Sequence, residues 1–210
     1  MSQIGLPFDW SGHGAAASDD FLVSDANRIA VRHLDGWHDW PVQVSVLSGP
    51  PRSGKSTLGR HFARQSGGTV IDDADGAGDE VLFHAWNRAQ NDRRPLLMIA
   101  DRAPSEWTVA LPDLRSRLAA VPHVRIGEPD DALVRALIER GLATGGSAWS
   151  PDVPDWLHRR IERSYAAISQ VLSCLHAASV SRSRKISVPF AKEALQSAGF
   201  LPIVWSDPEP

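Results

Sequence analysis

The chain has 210 residues, room for one sizeable core or two small ones, and its 42% hydrophobic and 22% charged content excludes disorder or collagen-like order as descriptions of the whole. Lysine and arginine number 22 against 25 acidic residues, a formal net charge of −3, so no large basic excess exists to neutralise duplex DNA, although a local basic patch stays open. Cys174 is the single cysteine, which excludes an internal disulfide and a multi-cysteine zinc site and fits a reducing compartment.

The amino-terminal MSQIGLPFDW has neither the basic start nor the apolar run of a signal peptide. No apolar stretch approaches the roughly 18 residues of a membrane helix, so the expectation is a cytoplasmic protein with no membrane contact. Residues 1–18 read as an aperiodic tail rich in glycine, alanine and serine. A helix is predicted over Asp25 to Trp37, capped by Ser24 or Asp25, with Ile29, Ala30, Val31 and Leu34 on its face. Val42, Val44, Val46 and Leu47 form a short strand running into a glycine-rich turn. Ser56 to Gln65 is the following helix, closed by Gly67-Gly68, and Thr69-Val70-Ile71 is a second strand ending in Asp72-Asp73. A helix over Asp79 to Asn91 precedes the most apolar run of the chain, Leu96 to Ala100, which suits a buried parallel strand. Leu111 to Ala119 reads as a short helix and Val124 to Ile126 as a last strand. This alternation predicts an α/β unit with a parallel sheet covered on both faces.

From Asp130 the β-branched runs disappear. Helices at Ala132 to Ala143, Val153 to Glu162, Tyr165 to Ser179 and Pro189 to Ser197 are separated by Gly145-Gly146, Pro151 and Ser187-Val188-Pro189, predicting a small all-helical unit over 130–210 after an α/β unit over 19–129. Eight tryptophans against one tyrosine are an oddity, several of them beside aspartate or proline, as in Asp39-Trp40-Pro41 and Asp155-Trp156. For Trp149 and Trp205 the sequence offers only ordinary packing.

The strongest chemical signal is Gly49-Pro50-Pro51-Arg52-Ser53-Gly54-Lys55-Ser56, which fits the phosphate-binding pattern GxxxxGK[ST] between a strand and a helix. Backbone N–H groups of such a loop surround a concavity at a helix N-terminus, where dipole and unpaired donors favour phosphate oxygens. Gly49, Ser53, Gly54, Lys55, Ser56 and Thr57 are the candidate phosphate contacts, with Lys55 reaching the β and γ phosphates and Ser56 ligating Mg²⁺. Asp72 is placed to hold the metal with Ser56, and Asp73 to orient an attacking water, the alternative being two solvated aspartates in a turn. Asp101 closes the Leu96 to Ala100 strand, where a polar side chain can face the γ phosphate. Arg115 and Arg117 lie farther on, and motif-free arginines of this kind are more often surface ion pairs.

In this order the motifs resemble those of DnaA-like AAA+ proteins, most closely the short regulatory inactivators of DnaA of the Hda type. The resemblance rests on Gln3 to Phe8 as QIGLPF, Asp20 to Asn27 as DFLVSDAN, the phosphate loop, Ile71-Asp72-Asp73, Ala100 to Pro104 as ADRAP, Leu111 to Leu118 as LPDLRSRL, and Ile161 to Ser164 as IERS. It implies a shortened AAA+ domain followed by a helical lid, binding ADP or ATP with Mg²⁺. Gln3, Ile4, Leu6, Pro7 and Phe8 would dock on the sliding clamp of DNA polymerase, glutamine making polar contacts and the apolar side chains filling a pocket. Phe21, Leu22, Val23 and Asn27 would pack on adenine and ribose. Arg117 would cross a subunit interface toward the ATP bound on DnaA and promote its hydrolysis, preventing over-initiation of replication. The implied partners are the clamp and DnaA, with a homo-oligomer left open and no sequence-specific DNA binding of its own.

Two features depart from the family pattern. Asp72 follows Lys55 by only 17 positions, where the family inserts another strand and helix; either an edge strand has been lost or Asp72-Asp73 closes a different strand. The family's sensor arginine in the lid falls on Ala166. Both point away from vigorous hydrolysis of the chain's own nucleotide. A small-molecule P-loop kinase is the runner-up, since the short spacing is less unusual there, but the arginines it would need, Arg135, Arg140, Arg159, Arg160 and Arg163, are spread around helices. A DNA-binding initiator is disfavoured because the chain reaches Pro210 without room for a helix-turn-helix module after the lid.

Overall fold

A computed structural model describes residues 21–201 as two compact units, Val23–Glu128 and the helical segment from Pro129 onward. In the first, β1 (Val44–Ser48), β2 (Thr69–Ile71), β3 (Leu96–Ala100) and β4 (His123–Arg125) form a parallel sheet in the order β2-β3-β1-β4. The helices α1 (Arg28–Asp35), α2 (Lys55–Ser66), α3 (Asp79–Asp92) and α4 (Pro112–Ala120) intervene. Every residue of β1 and β3 is buried, as expected of central strands covered on both sides. Val44, Val46, Leu96 and Met98 point to one face, against Leu82 and Trp86 of α3 and Leu114 and Leu118 of α4.

The sheet shows where the strand before Asp72-Asp73 lies. Only Gly67 and Gly68 separate α2 from β2, and Thr69 N donates to Pro95 O at 2.8 Å, so β2 pairs at once with β3. It is the outer strand of a four-stranded sheet, separated from β1 by β3. Among the described residues β2 is thus an edge strand, and Asp72-Asp73 follow its end.

β1 carries two serines, each met by a histidine. His33 Nε2 lies 2.7 Å from Ser45 Oγ, which donates to Pro122 O at 2.9 Å, so the imidazole is the donor in the first pair. Ser48 Oγ lies 2.7 Å from His123 Nε2. Burial lowers both histidine pKa values from 6.5, with Arg125 lowering His123 further and Glu106 opposing it. A base with a lowered folded-state pKa takes up a proton on unfolding, so its contribution is fully present above pH 6.5 and is lost as the pH falls below it. Thermal melts should therefore shift down between pH 7.5 and about 5.5, and a His33→Gln, His123→Gln double variant should shift less than the parent over the same interval.

The second unit contains α5 (Asp131–Thr144), α6 (Val153–His158), α7 (Tyr165–Arg182) and α8 (Val188–Ser197). Val134, Ile138, Leu142, Leu157, Ile168, Leu172, Leu175, Phe190 and Leu195 form its core. Three of its helices are capped by their own side chains: Asp130 accepts from Leu133 N, Ser164 from Ala167 N and Ser187 from Phe190 N. Trp149 is half-buried against this core, and a parallel bridge joins it to Ile186. The predicted helix over Val153 to Glu162 ends at His158, because Arg160 N and Ile161 N both turn back to Leu157 O before Ser164 caps α7. No helix among the described residues is long and apolar enough to cross a membrane.

Candidate nucleotide site

The phosphate loop joins β1 to α2 at the carboxyl ends of the strands, where open parallel sheets bind ligands. Gly49 must lack a side chain, since a Cβ there would stand 2.9 Å from Ile126 O. Gly54 has φ 89°, a left-handed conformation that suits glycine, and serves as the N-cap of α2 with no side-chain cap. The side-chain caps of α5, α7 and α8 thus have no counterpart on α2, whose first N–H groups remain directed at the loop.

Lys55 opens α2 and is 8% exposed. Its Nζ donates to Gly49 O at 2.9 Å, Pro50 O at 2.8 Å and Asp101 Oδ1 at 2.9 Å. Asp101 follows β3, so the ion pair joins the ends of two adjacent strands. Ser53 Oγ is buried with no hydrogen-bond partner. An orphaned hydroxyl in the loop, a wall on which a Cβ would collide, and a buried ammonium fit a phosphate group. Ser56 is exposed on the first turn of α2, and Thr57 Oγ1 accepts from Arg60 at 3.1 Å.

Asp72 and Asp73 are exposed at the end of β2, Asp73 with a left-handed φ of 52°. The next carboxylate, Asp75, pairs with Arg102 at 3.1 Å, tying the end of β2 to that of β3. Among the described residues no group of three or more His, Cys, Asp or Glu side chains could hold a metal alone. Ser56 and Asp72 supply hard oxygen donors of the kind Mg²⁺ takes together with phosphate and water.

The segment before α1 adjoins this loop. Gly127 N donates to Ala26 O at 2.8 Å and Ile126 N to Ser48 O at 2.8 Å, which places Ala26, Ile126 and Gly49 in succession. Asn27 is buried, and its Oδ1 accepts from Ser24 N at 3.0 Å, so it shapes the turn entering α1. That turn occupies residues 24–27, and α1 starts at Arg28, three positions later than the pattern predicts. Val23 is 53% exposed. Phe21 and Leu22 are half-buried and group with the helical unit. Gln3, Ile4, Leu6, Pro7 and Phe8 lie outside the described residues.

Arg117 stands apart from the loop. It occupies the last turn of α4, a crossover helix running back from the carboxyl end of β3 toward the start of β4. Its guanidinium donates to Asn87 Oδ1 at 2.8 Å and Asp113 Oδ2 at 2.7 Å, with Phe83 and Trp86 rings 5.0 and 5.9 Å away. Arg115 instead donates twice to Val109 O. In the helical unit Arg135 pairs with Asp155 at 2.5 Å, Arg163 with Asp131 at 2.7 Å, and Arg160 covers Trp156, so these arginines do not converge on one anion. Ala166 sits half-buried in the first turn of α7 and brings no charge.

Sequence reasoning missed the serine–histidine pairs of β1. The available signal was VSVLS itself, since two serines in a strand buried along its whole length require partners.

Residues 130–195 match the family model for the lid domain of Hda. The fold is similar to that of domain III of the replication initiation protein DnaA from Thermotoga maritima, with a TM-score of 0.74 and 13% identity over 88% of this chain and 96% of that one. AMPPCP-bound DnaA from Aquifex aeolicus matches with a TM-score of 0.59 and 17% identity, over 74% of this chain and 63% of that chain. The Thermotoga maritima RuvB Holliday junction branch migration motor matches with a TM-score of 0.62 and 13% identity, over 85% and 70%. Residues 130–195 thus resemble the lid domain of Hda and the fold is like that of DnaA domain III, in keeping with the resemblance carried by the sequence motifs.

Proposed function

We propose that this chain, with its DnaA-like AAA+ fold and Hda-type lid, is a regulator that binds adenine nucleotide, rides on the polymerase clamp and stimulates ATP hydrolysis on DnaA. The observation that carries the nucleotide reading is Lys55, buried at the start of an uncapped helix beside the orphaned Ser53 hydroxyl. Bound ADP or ATP with Mg²⁺ supplies anionic oxygens for these donors. Gly49, Ser53, Gly54, Lys55, Ser56 and Thr57 hold the phosphates, Ser56 and Asp72 the metal, and Phe21, Leu22, Val23 and Asn27 the adenosine. Asp73 and Asp101 are the carboxylates available for water orientation and phosphate sensing.

Ala166 leaves the lid without a cation at the family's sensor position, so turnover of the chain's own nucleotide is slow or absent. The chemistry is directed outward through Arg117, which lies in the last turn of α4 and is bonded to Asn87 and Asp113, outside its own phosphate loop. A tail-borne clamp peptide is consistent with net charge −3, because a protein delivered to DNA by the clamp needs no basic surface of its own.

The test is hydrolysis of ATP pre-bound to DnaA in the presence of clamp loaded on DNA. Adding the full chain is expected to accelerate it, and a Leu6→Ala, Phe8→Ala double variant is expected to lose both the acceleration and retention on immobilised clamp. No acceleration by the parent would retire the regulatory reading. Retention that survives the double substitution would remove the tether.

A further inference from the structure

An ammonium has three N–H donors and no acceptor capacity, and the partners of Lys55 number three: the carbonyls of Gly49 and Pro50 and the carboxylate of Asp101. The amine is therefore saturated within its own protein. Two of those acceptors are main-chain atoms, fixed by a loop wedged against Ile126. The third is a side chain 54% exposed, free to rotate into water at little cost. A phosphate oxygen reaching Lys55 displaces Asp101 before it displaces the backbone. The displaced carboxylate stays on the end of β3, next to an incoming group of the same charge.

We propose that Asp101 is an internal competitor for phosphate at Lys55, which holds the lysine in the loop and limits the affinity of the site for nucleoside polyphosphates. This rests on the nucleotide-binding reading and assigns the carboxylate an effect opposite in sign to that of a ligand-binding residue. Neutralising it strengthens binding instead of weakening it. Asn has nearly the same shape and hydrogen-bonding reach without the charge, and the half-exposed position tolerates the exchange.

Calorimetric titration of the full chain with ADP and with ATP, each with Mg²⁺, tests this on the parent, Asp101→Asn, Asp101→Glu and Lys55→Ala, with thermal melts to establish folding. Asp101→Asn is expected to bind both nucleotides about three- to fivefold more tightly, the upper part of the range for an exposed ion pair, while Asp101→Glu stays within about twofold of the parent because it keeps the competing charge. Equal or weaker binding by Asp101→Asn, with parent binding intact, overturns the competitor role and leaves the nucleotide reading standing. If neither the parent nor Asp101→Asn binds nucleotide while both melt cooperatively, the nucleotide reading fails and the competitor role fails with it.

Discussion

Replacing Lys55 by alanine is expected to weaken adenine nucleotide binding by about 10² or more, because an ammonium contributes charge-assisted hydrogen bonds of about 1.5–3 kcal/mol each and Lys55 is the buried cation at the start of α2. The substitution also reverses the local field. With the amine gone, the Gly49 and Pro50 carbonyls and the Asp101 carboxylate face the loop together, an oxygen-lined surface that repels phosphate. Lys55→Met keeps most of the buried stem and should bind as poorly, which separates loss of charge from loss of packing. Titration with a fluorescent ADP analogue reads the effect, alongside melts of each variant. Binding by Lys55→Ala within about threefold of the parent would remove the loop from the phosphate site.

How much of this site the sequence announced depends on the range of the interaction concerned. The phosphate loop is local, eight consecutive residues whose pattern and flanking elements agree, and β3 is a five-residue apolar run bounded by Pro95 and Asp101. Such features carry their own signal. The shorter α6 was less legible, because HRRIERS is composed of good helix formers and only the Ser164 cap shows where the chain restarts. The Lys55–Asp101 pair was not legible as a bond, since the two residues are 46 positions apart and the pairing depends on β3 lying beside β1. Strand order is a tertiary outcome: nothing in Thr69 to Ile71 states that it will be an edge. Its half-exposed side chains record that position only after the sheet has formed.

In the clamp-dependent assay, Arg117→Ala is expected to lower the stimulated hydrolysis of DnaA-bound ATP by about 10³ or more, the lower end of what an arginine supplied in trans contributes to phosphoryl transfer. The geometry makes that expectation specific. Asn87 and Asp113 hold the guanidinium while the faces of Phe83 and Trp86 support its plane, so the group is oriented before any partner arrives. A planar cation fixed in this way loses little entropy on meeting a triphosphate, whereas a lysine at the same position would keep the charge but lose the fork and the stacking. Arg117→Lys should therefore restore only a small part of the activity. The same contacts give Arg117 a structural role, because α4 is tied to α3 through them, and alanine there costs some stability through lost packing and cation–π contact, about 1 kcal/mol. Asp113→Asn separates the two effects: it weakens the anchoring ion pair while leaving the guanidinium in place, and should retain most of the stimulation. Nucleotide binding by the chain itself should be unchanged in all three variants, since the hydrogen-bond partners of Arg117 are Asn87 and Asp113 and not residues of the loop. An Arg117→Ala protein as active as the parent would end the finger assignment.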